Sequence, residues 1–232
     1  MFGKNPIRAP ESGDGGTLNV VNIFPTLQGE GPFAGHPAVF VRLGGCNLAC
    51  DFCDTEFEQF TSMQTGDILS QIQELALYAD RRIMKRNLVV ITGGEPLRQN
   101  IAPLCDILQM QGYRVQIETN GTLWRPEMPK EVQVVCSPKV SNGQYNSLRP
   151  DLLLRINALK FIISDSHPDY REVGEVGQTA AYAGGVNIPI YVQPMDEYDP
   201  AKNAANLARA AMLAQTQNYI LSLQLHKLVG IE

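Results

Sequence analysis

Short apolar and β-branched runs recur along this chain, at Leu18–Phe24, Ala38–Leu43, Leu88–Thr92, Arg114–Glu118, Gln133–Cys136, Leu159–Ile163, Ile188–Val192 and Ile220–Leu225. Each is bounded by Gly, Pro, Asn or other polar residues, as strands are. Between some of them the apolar spacing turns helical. Ile68, Ile72, Leu75, Ala79 and Ile83 share one face, as do Ile101, Leu104, Cys105 and Leu108, and Ala204, Leu207, Ala208 and Ala211. Asp199-Pro200 supplies a cap and first turn for the third helix. Met110 and Met212 are expected as core filler. Arg81, Arg82, Lys85 and Arg86 are expected as a solvated helix end.

Strands alternating with helices imply βαβ units and a mainly parallel sheet. Few helices serve many strands, so the expectation is an α/β fold of partial, pared-down β/α barrel type. Ligands of such folds meet the loops at the carboxyl ends of the strands. Four runs end in polar or Gly-rich loops: Cys46 follows Leu43, TGGEP follows Leu88–Ile91, ETNG follows Val115–Ile117, and SPK follows Cys136.

A chain of 232 residues, 44% hydrophobic and 19% charged, suits one large globular domain. Residues 1–17, rich in Gly, Pro and polar side chains, are expected as a flexible lead-in, and residues 18–232 as the single domain. A net charge of −5 gives no reason to expect nucleic acid. No apolar run is long enough to cross a bilayer, and the N-terminus lacks the apolar core of a signal peptide. Five cysteines, three of them crowded together, argue against a disulfide framework and for the cytoplasm.

The crowded three are Cys46, Cys50 and Cys53, in GGCNLACDFCDT. Four-iron clusters are usually held by four thiolates. Three thiolates leave one iron open to a small molecule. The alternative is structural zinc, which normally takes four ligands in two pairs. Cys105 and Cys136 do not form a second pair. The reading is therefore a [4Fe-4S] cluster, with a non-catalytic zinc-binding scaffold as the remote alternative.

The triplet resembles the signature of the radical S-adenosylmethionine (SAM) superfamily, whose fold is a partial β/α barrel. The resemblance implies that the open iron chelates SAM. It places Phe52 and Asp54 near SAM, gives Gly94 and Glu95 of TGGEP to the methionine ammonium, and assigns Glu118, Ser137, Pro138, Lys139, Gln193, Pro194, Met195 and Asp196 to SAM as well. On residue grounds alone, ETNG is equally an Asn-Gly turn, and the SPK and QPMD stretches are strand ends with a proline.

Within that superfamily, FPTLQGEGPFAGHPAVFVRLGGC, CDT and the ending LQLHKLVGIE resemble the 7-carboxy-7-deazaguanine synthases. That resemblance implies a lyase converting 6-carboxy-5,6,7,8-tetrahydropterin to 7-carboxy-7-deazaguanine, with loss of ammonia, for queuosine and other 7-deazapurines. It places Leu27, Gln28, Gly29, Arg42 and Thr92 on the pterin, Mg2+ at Thr55, and the terminal carboxylate, here Glu232 where many relatives end in proline, on the substrate. Glu30 either orients the substrate or closes a turn. His226 either faces the site or is structural, and Thr55 is alternatively a loop cap. An arginine fork suits the carboxylate of such a pterin. Magnesium at one threonine hydroxyl needs substrate and water oxygens to complete its shell. The family implies an external reductant such as flavodoxin, and a homodimer. A radical SAM activase that generates a glycyl radical on a partner protein is the alternative function.

Overall fold

The computed structural model describes residues 5–77, 85–175 and 187–231. Among the described residues there are eleven strands: β1 (Thr17–Leu27), β2 (Pro37–Leu43), β3 (Thr61–Gln64), β4 (Leu88–Gly93), β5 (Arg114–Thr119), β6 (Gln133–Cys136), β7 (Val140–Ser141), β8 (Gln144–Tyr145), β9 (Ala158–Ile163), β10 (Ile190–Pro194) and β11 (Ile220–Leu221). The α-helices lying wholly within the described residues are α1 (Thr65–Ala76), α2 (Ala102–Met110), α3 (Pro150–Leu153), α4 (Pro200–Gln217) and α5 (Leu225–Val229).

Nine strands form one sheet in the order β11-β10-β9-β6-β5-β4-β2-β1-β3. From β2 to β11 every neighbouring pair is parallel, whereas β1 runs antiparallel to both β2 and β3. The sheet does not close, as a partial barrel requires, and β3 and β11 are its two edges. Parallel strands covered on both faces read as continuous apolar runs, and Leu88–Ile91 is fully buried throughout.

Alternate residues divide the two faces. Val39, Val41, Val89, Ile91, Val115, Ile117, Leu159 and Phe161 join one core cluster with Ile68 and Ile72 of α1, Leu104 and Leu108 of α2, and Ala210 and Leu213 of α4. The opposite face grades from apolar to polar toward the strand ends. Ala38, Leu88 and Val90 pack together at its base with Phe40. One step further along, Arg42 is in register with Thr92, and Thr92 is level with Glu118 because Ile91 pairs Ile117. Arginine, threonine and glutamate thus form one rung across three strands.

Several expectations need correction. The helix α4 forms, and the Asp199 carboxylate accepts from Ala201 N and Lys202 N, but its buried residues are Asn206, Ala210 and Leu213 rather than Ala204, Leu207, Ala208 and Ala211. Asn206 is buried because its amide donates to Met195 O (3.0 Å) and accepts from Asp165 N (2.7 Å). Met110 and Met212 are exposed, not core filler. The last run pairs only at Ile220–Leu221, and the chain then turns into α5. Residues 5–16, expected to be a flexible lead-in, make specific contacts. Arg8 N donates to Cys46 O (2.7 Å), and Glu11 pairs with the buried Arg98 (2.9 Å). Ala79, Ile83, Arg81, Arg82 and Glu232 lie outside the described residues.

Candidate active site

The strand-end loops converge on one cavity of about 460 Å³. Its lining includes Cys46, Cys50, Phe52, Cys53, Asp54 and Thr55 after β2, Thr92 and Gly94 of the β4 end, Glu118 of β5, Ser137 and Lys139 after β6, and Gln193, Pro194, Met195 and Asp196 of the β10 end. Leu27, Gln28, Glu30 and Arg42 line it from β1 and β2, and His226 from the tail. Most residues singled out in the sequence are therefore brought together. Gly29, Glu95 and Pro138 do not line it.

The two glycine pairs explain how the cluster loop and TGGEP meet. Gly94 N donates to Leu43 O (3.2 Å) and Glu95 N to Gly45 O (3.0 Å). A Cβ at Gly93 or Gly94 would strike the backbone of Leu43 or Gly45. These glycines let two loop backbones touch, rather than only a ligand. Glu95 is turned inward and fully buried. Its carboxylate accepts from Thr119 Oγ1 (2.8 Å), Asn120 N (2.7 Å) and Leu97 N (3.0 Å), which ties the β4 loop to the β5 loop. Burial pushes this carboxyl up to about 7, against those hydrogen bonds.

All five cysteines are unpaired. Burial raises the thiols of Cys46, Cys50 and Cys53, that of Cys46 to about 12. Thiolates in such a place need a metal's charge to form. Among the described residues no three His, Cys, Asp or Glu side chains converge as they would around a single ion. Zinc requires such convergence. A cubane does not, because each thiolate binds a different iron. One buried and two half-buried thiols around one cavity therefore fit a cluster better than zinc. Lys139, half-buried near Cys50, donates to Ser137 O (2.7 Å) and Ser137 Oγ (2.6 Å). Phe52 lines the cavity and also stacks edge-on against Tyr170 at 4.9 Å.

Arg42 is the one cation of the β2–β4–β5 rung. Its guanidinium lies over the Phe24 ring at 5.3 Å, and its buried Nε has no hydrogen-bond partner. Thr55 Oγ1 donates to Asp54 Oδ1 (3.2 Å). That pair is a thin donor set for magnesium, which has to bring substrate and water oxygens.

Lys160 was overlooked in the sequence, because it sits inside an apolar run. A lysine in the middle of a buried strand was the available signal. It is 4% exposed, lines the cavity, and pairs with both Glu30 and Glu118, the latter at 2.7 Å. Gln28 Nε2 donates to Glu118 Oε1 (2.9 Å). Burial pushes the Glu30 carboxyl up, but Lys160 and the Gln224 amide overcome this and hold it at about 2.

The tail crosses the cavity. Leu225 N donates to Gly29 O (3.1 Å), Gln224 Nε2 to Glu30 Oε1 (2.9 Å), and Lys227 Nζ to Asp54 (3.0 Å) and Asp196 (2.8 Å). Gly29, expected on the substrate, instead receives the tail. Ile231 also lines the cavity.

The chain is similar to known proteins over its whole length. Residues 40–135 match the model of the radical SAM superfamily. The 7-carboxy-7-deazaguanine synthase of Rickettsia prowazekii is 52% identical, covering all of this chain and 96% of the relative. That of Rhodospirillum rubrum is 42% identical over the whole of both chains. A crystal structure of QueE from Escherichia coli matches with a TM-score of 0.74 at 26% identity, covering 92% of this chain and 99% of that one. With the cysteine loop, the parallel sheet and these full-length matches, the chain belongs to the 7-carboxy-7-deazaguanine synthase family of radical SAM enzymes.

Proposed function

We propose that this radical SAM enzyme converts 6-carboxy-5,6,7,8-tetrahydropterin to 7-carboxy-7-deazaguanine with loss of ammonia, in 7-deazapurine biosynthesis. One observation carries the reading: the cysteine loop and Arg42, with its unpartnered buried Nε, line the same cavity. When bound, a [4Fe-4S] cluster on Cys46, Cys50 and Cys53 supplies the electron that cleaves SAM into methionine and a carbon radical.

The chain's own residues bind, orient and exclude. Arg42 offers a planar fork to the pterin carboxylate. Phe24 and Phe40 give that part of the cavity aromatic walls. Glu30, Glu118 and Lys160 carry two carboxylates against one ammonium, a net negative wall for the N–H donors of the pterin ring. Gly94, Ser137, Lys139, Gln193, Pro194 and Met195 lie where SAM is to bind, and Glu95 acts by bracing the β4 loop. Thr55, with substrate oxygens and water, holds Mg2+. Residues 222–231 cover the cavity, and water kept out of it cannot quench a radical. Such positioning is worth several kcal/mol in general.

The domain comprises residues 18–232, with a returning tail and an N-terminal strap. The working form is a homodimer served by an external reductant such as flavodoxin. Among the described residues no helix is long and apolar enough to cross a membrane; the five unpaired cysteines are what favour a cytoplasmic setting. The test is anaerobic reconstitution with iron, sulfide, SAM, Mg2+, carboxytetrahydropterin and a low-potential one-electron reductant such as reduced flavodoxin. Appearance of the deazaguanine chromophore is expected; SAM cleavage without it overturns the reading.

A further inference from the structure

Lys160 sits between Leu159 and Phe161, both fully buried, and carries its charge into the cavity. Its Nζ meets Glu30 Oε2 and Glu118 Oε2. The contacts close into a ring: Glu30 N donates to Gln28 Oε1 (3.1 Å), and Gln28 Nε2 donates to Glu118 Oε1 (2.9 Å). Gln116 Nε2 donates to the same oxygen (3.1 Å). With Oε2 committed to Lys160, Glu30 Oε1 faces the tail and accepts from Gln224 (2.9 Å). The tail helix α5 buries no residue. Polar contacts such as this one hold it in place.

We propose that Lys160 is a positioning residue for the tail: by clamping Glu30 against Glu118, it fixes the acceptor that Gln224 uses to hold residues 222–231 over the cavity. Without the ammonium, two carboxylates share one dry site. Like charges at such range cannot both stay ionised in place, so one takes a proton or turns away. Either outcome weakens a charge-assisted hydrogen bond to the tail. A cation in the sheet would thereby govern a segment more than sixty residues further along the chain.

The test is limited trypsin digestion of cluster-loaded enzyme, following cleavage after Lys227 by mass spectrometry. This readout does not need the proposed reaction, so its failure is distinguishable from failure of that assignment. Lys160→Met and Gln224→Ala are each expected to speed this cleavage roughly tenfold. The double variant should be cleaved no faster than the faster single one, because both act through Glu30. Given the proposed substrate, pterin KM rises more than kcat falls in each single variant. Should Lys160→Met not fold, Lys160→Gln, which removes the ammonium but still offers the two carboxylates a donor, takes its place. Wild-type cleavage rates in folded variants, or multiplicative acceleration in the double, overturn the proposal.

Discussion

The imidazole of His226 occupies the space that a side chain on Gly29 would need. A Cβ built on Gly29 would collide with Nδ1 of that ring. The glycine of QGEG is therefore a socket for the tail. Gly29→Ala should expel His226 and loosen the Leu225 N to Gly29 O bond. Overpacking of this kind typically costs about 1–3 kcal/mol, so pterin KM should rise roughly tenfold or more. The global melting temperature should barely move, because α5 buries no residue. Steady-state kinetics beside a thermal melt check both halves, and an unchanged KM would count against the socket.

Removing one thiolate should remove the cluster. Cys50→Ala leaves two of the three proposed protein ligands. Iron and sulfide content after anaerobic reconstitution should drop to background, and SAM cleavage with it. Full iron and sulfide loading of the variant would show that Cys50 is not a ligand.

Arg42→Lys keeps the charge and loses the fork. The lysine also gives up the flat stacking on Phe24. Loss of one charge-assisted bond should raise pterin KM roughly tenfold. SAM affinity, measured by equilibrium binding, should stay unchanged. Equal losses for both ligands would place Arg42 outside the pterin subsite.

Glu95 gives the fold a pH signature. Its carboxyl is raised from 4.5 to about 7. Below pH 4.5 it is protonated whether folded or unfolded, and contributes nothing. As pH rises from 4.5 to about 7, the unfolded chain ionises more readily than the folded one, so stability falls. Above about 7 the loss is complete, on the order of 3 kcal/mol. Glu95→Gln should flatten that slope in melts taken across the window. It also leaves Asn120 N short of an acceptor, which lowers the whole curve without tilting it. Parallel slopes for the two proteins would contradict this account.

Apolar runs mark six of the parallel strands because both faces of such strands are covered, and Leu88–Ile91 shows why no alternation interrupts them; the seventh, β11, is apolar although both its residues are exposed. The rim was legible for the same reason: a run that ends in Gly or a charge ends at the cavity. What escaped depended on partners distant in the chain. Lys160 reads as an intruder until Glu30 and Glu118 are known to flank it. The buried face of α4 was misplaced because Asn206 looks polar, and only its bonds to Met195 and Asp165 make it internal. Strand β3, Thr61–Gln64, is mostly exposed, and Met63 is its one apolar residue. Glu95 is turned inward by donors distant in the chain, Thr119 Oγ1 at the end of β5 and Asn120 N just after it.

The cavity draws its lining from Asn5 to Ile231, nearly end to end. No contiguous stretch of the polypeptide contains it. Removing any inner strand parts the row and splits the basin in two. Peptides or half-length fragments cannot inherit the chemistry; it exists only in the assembled whole.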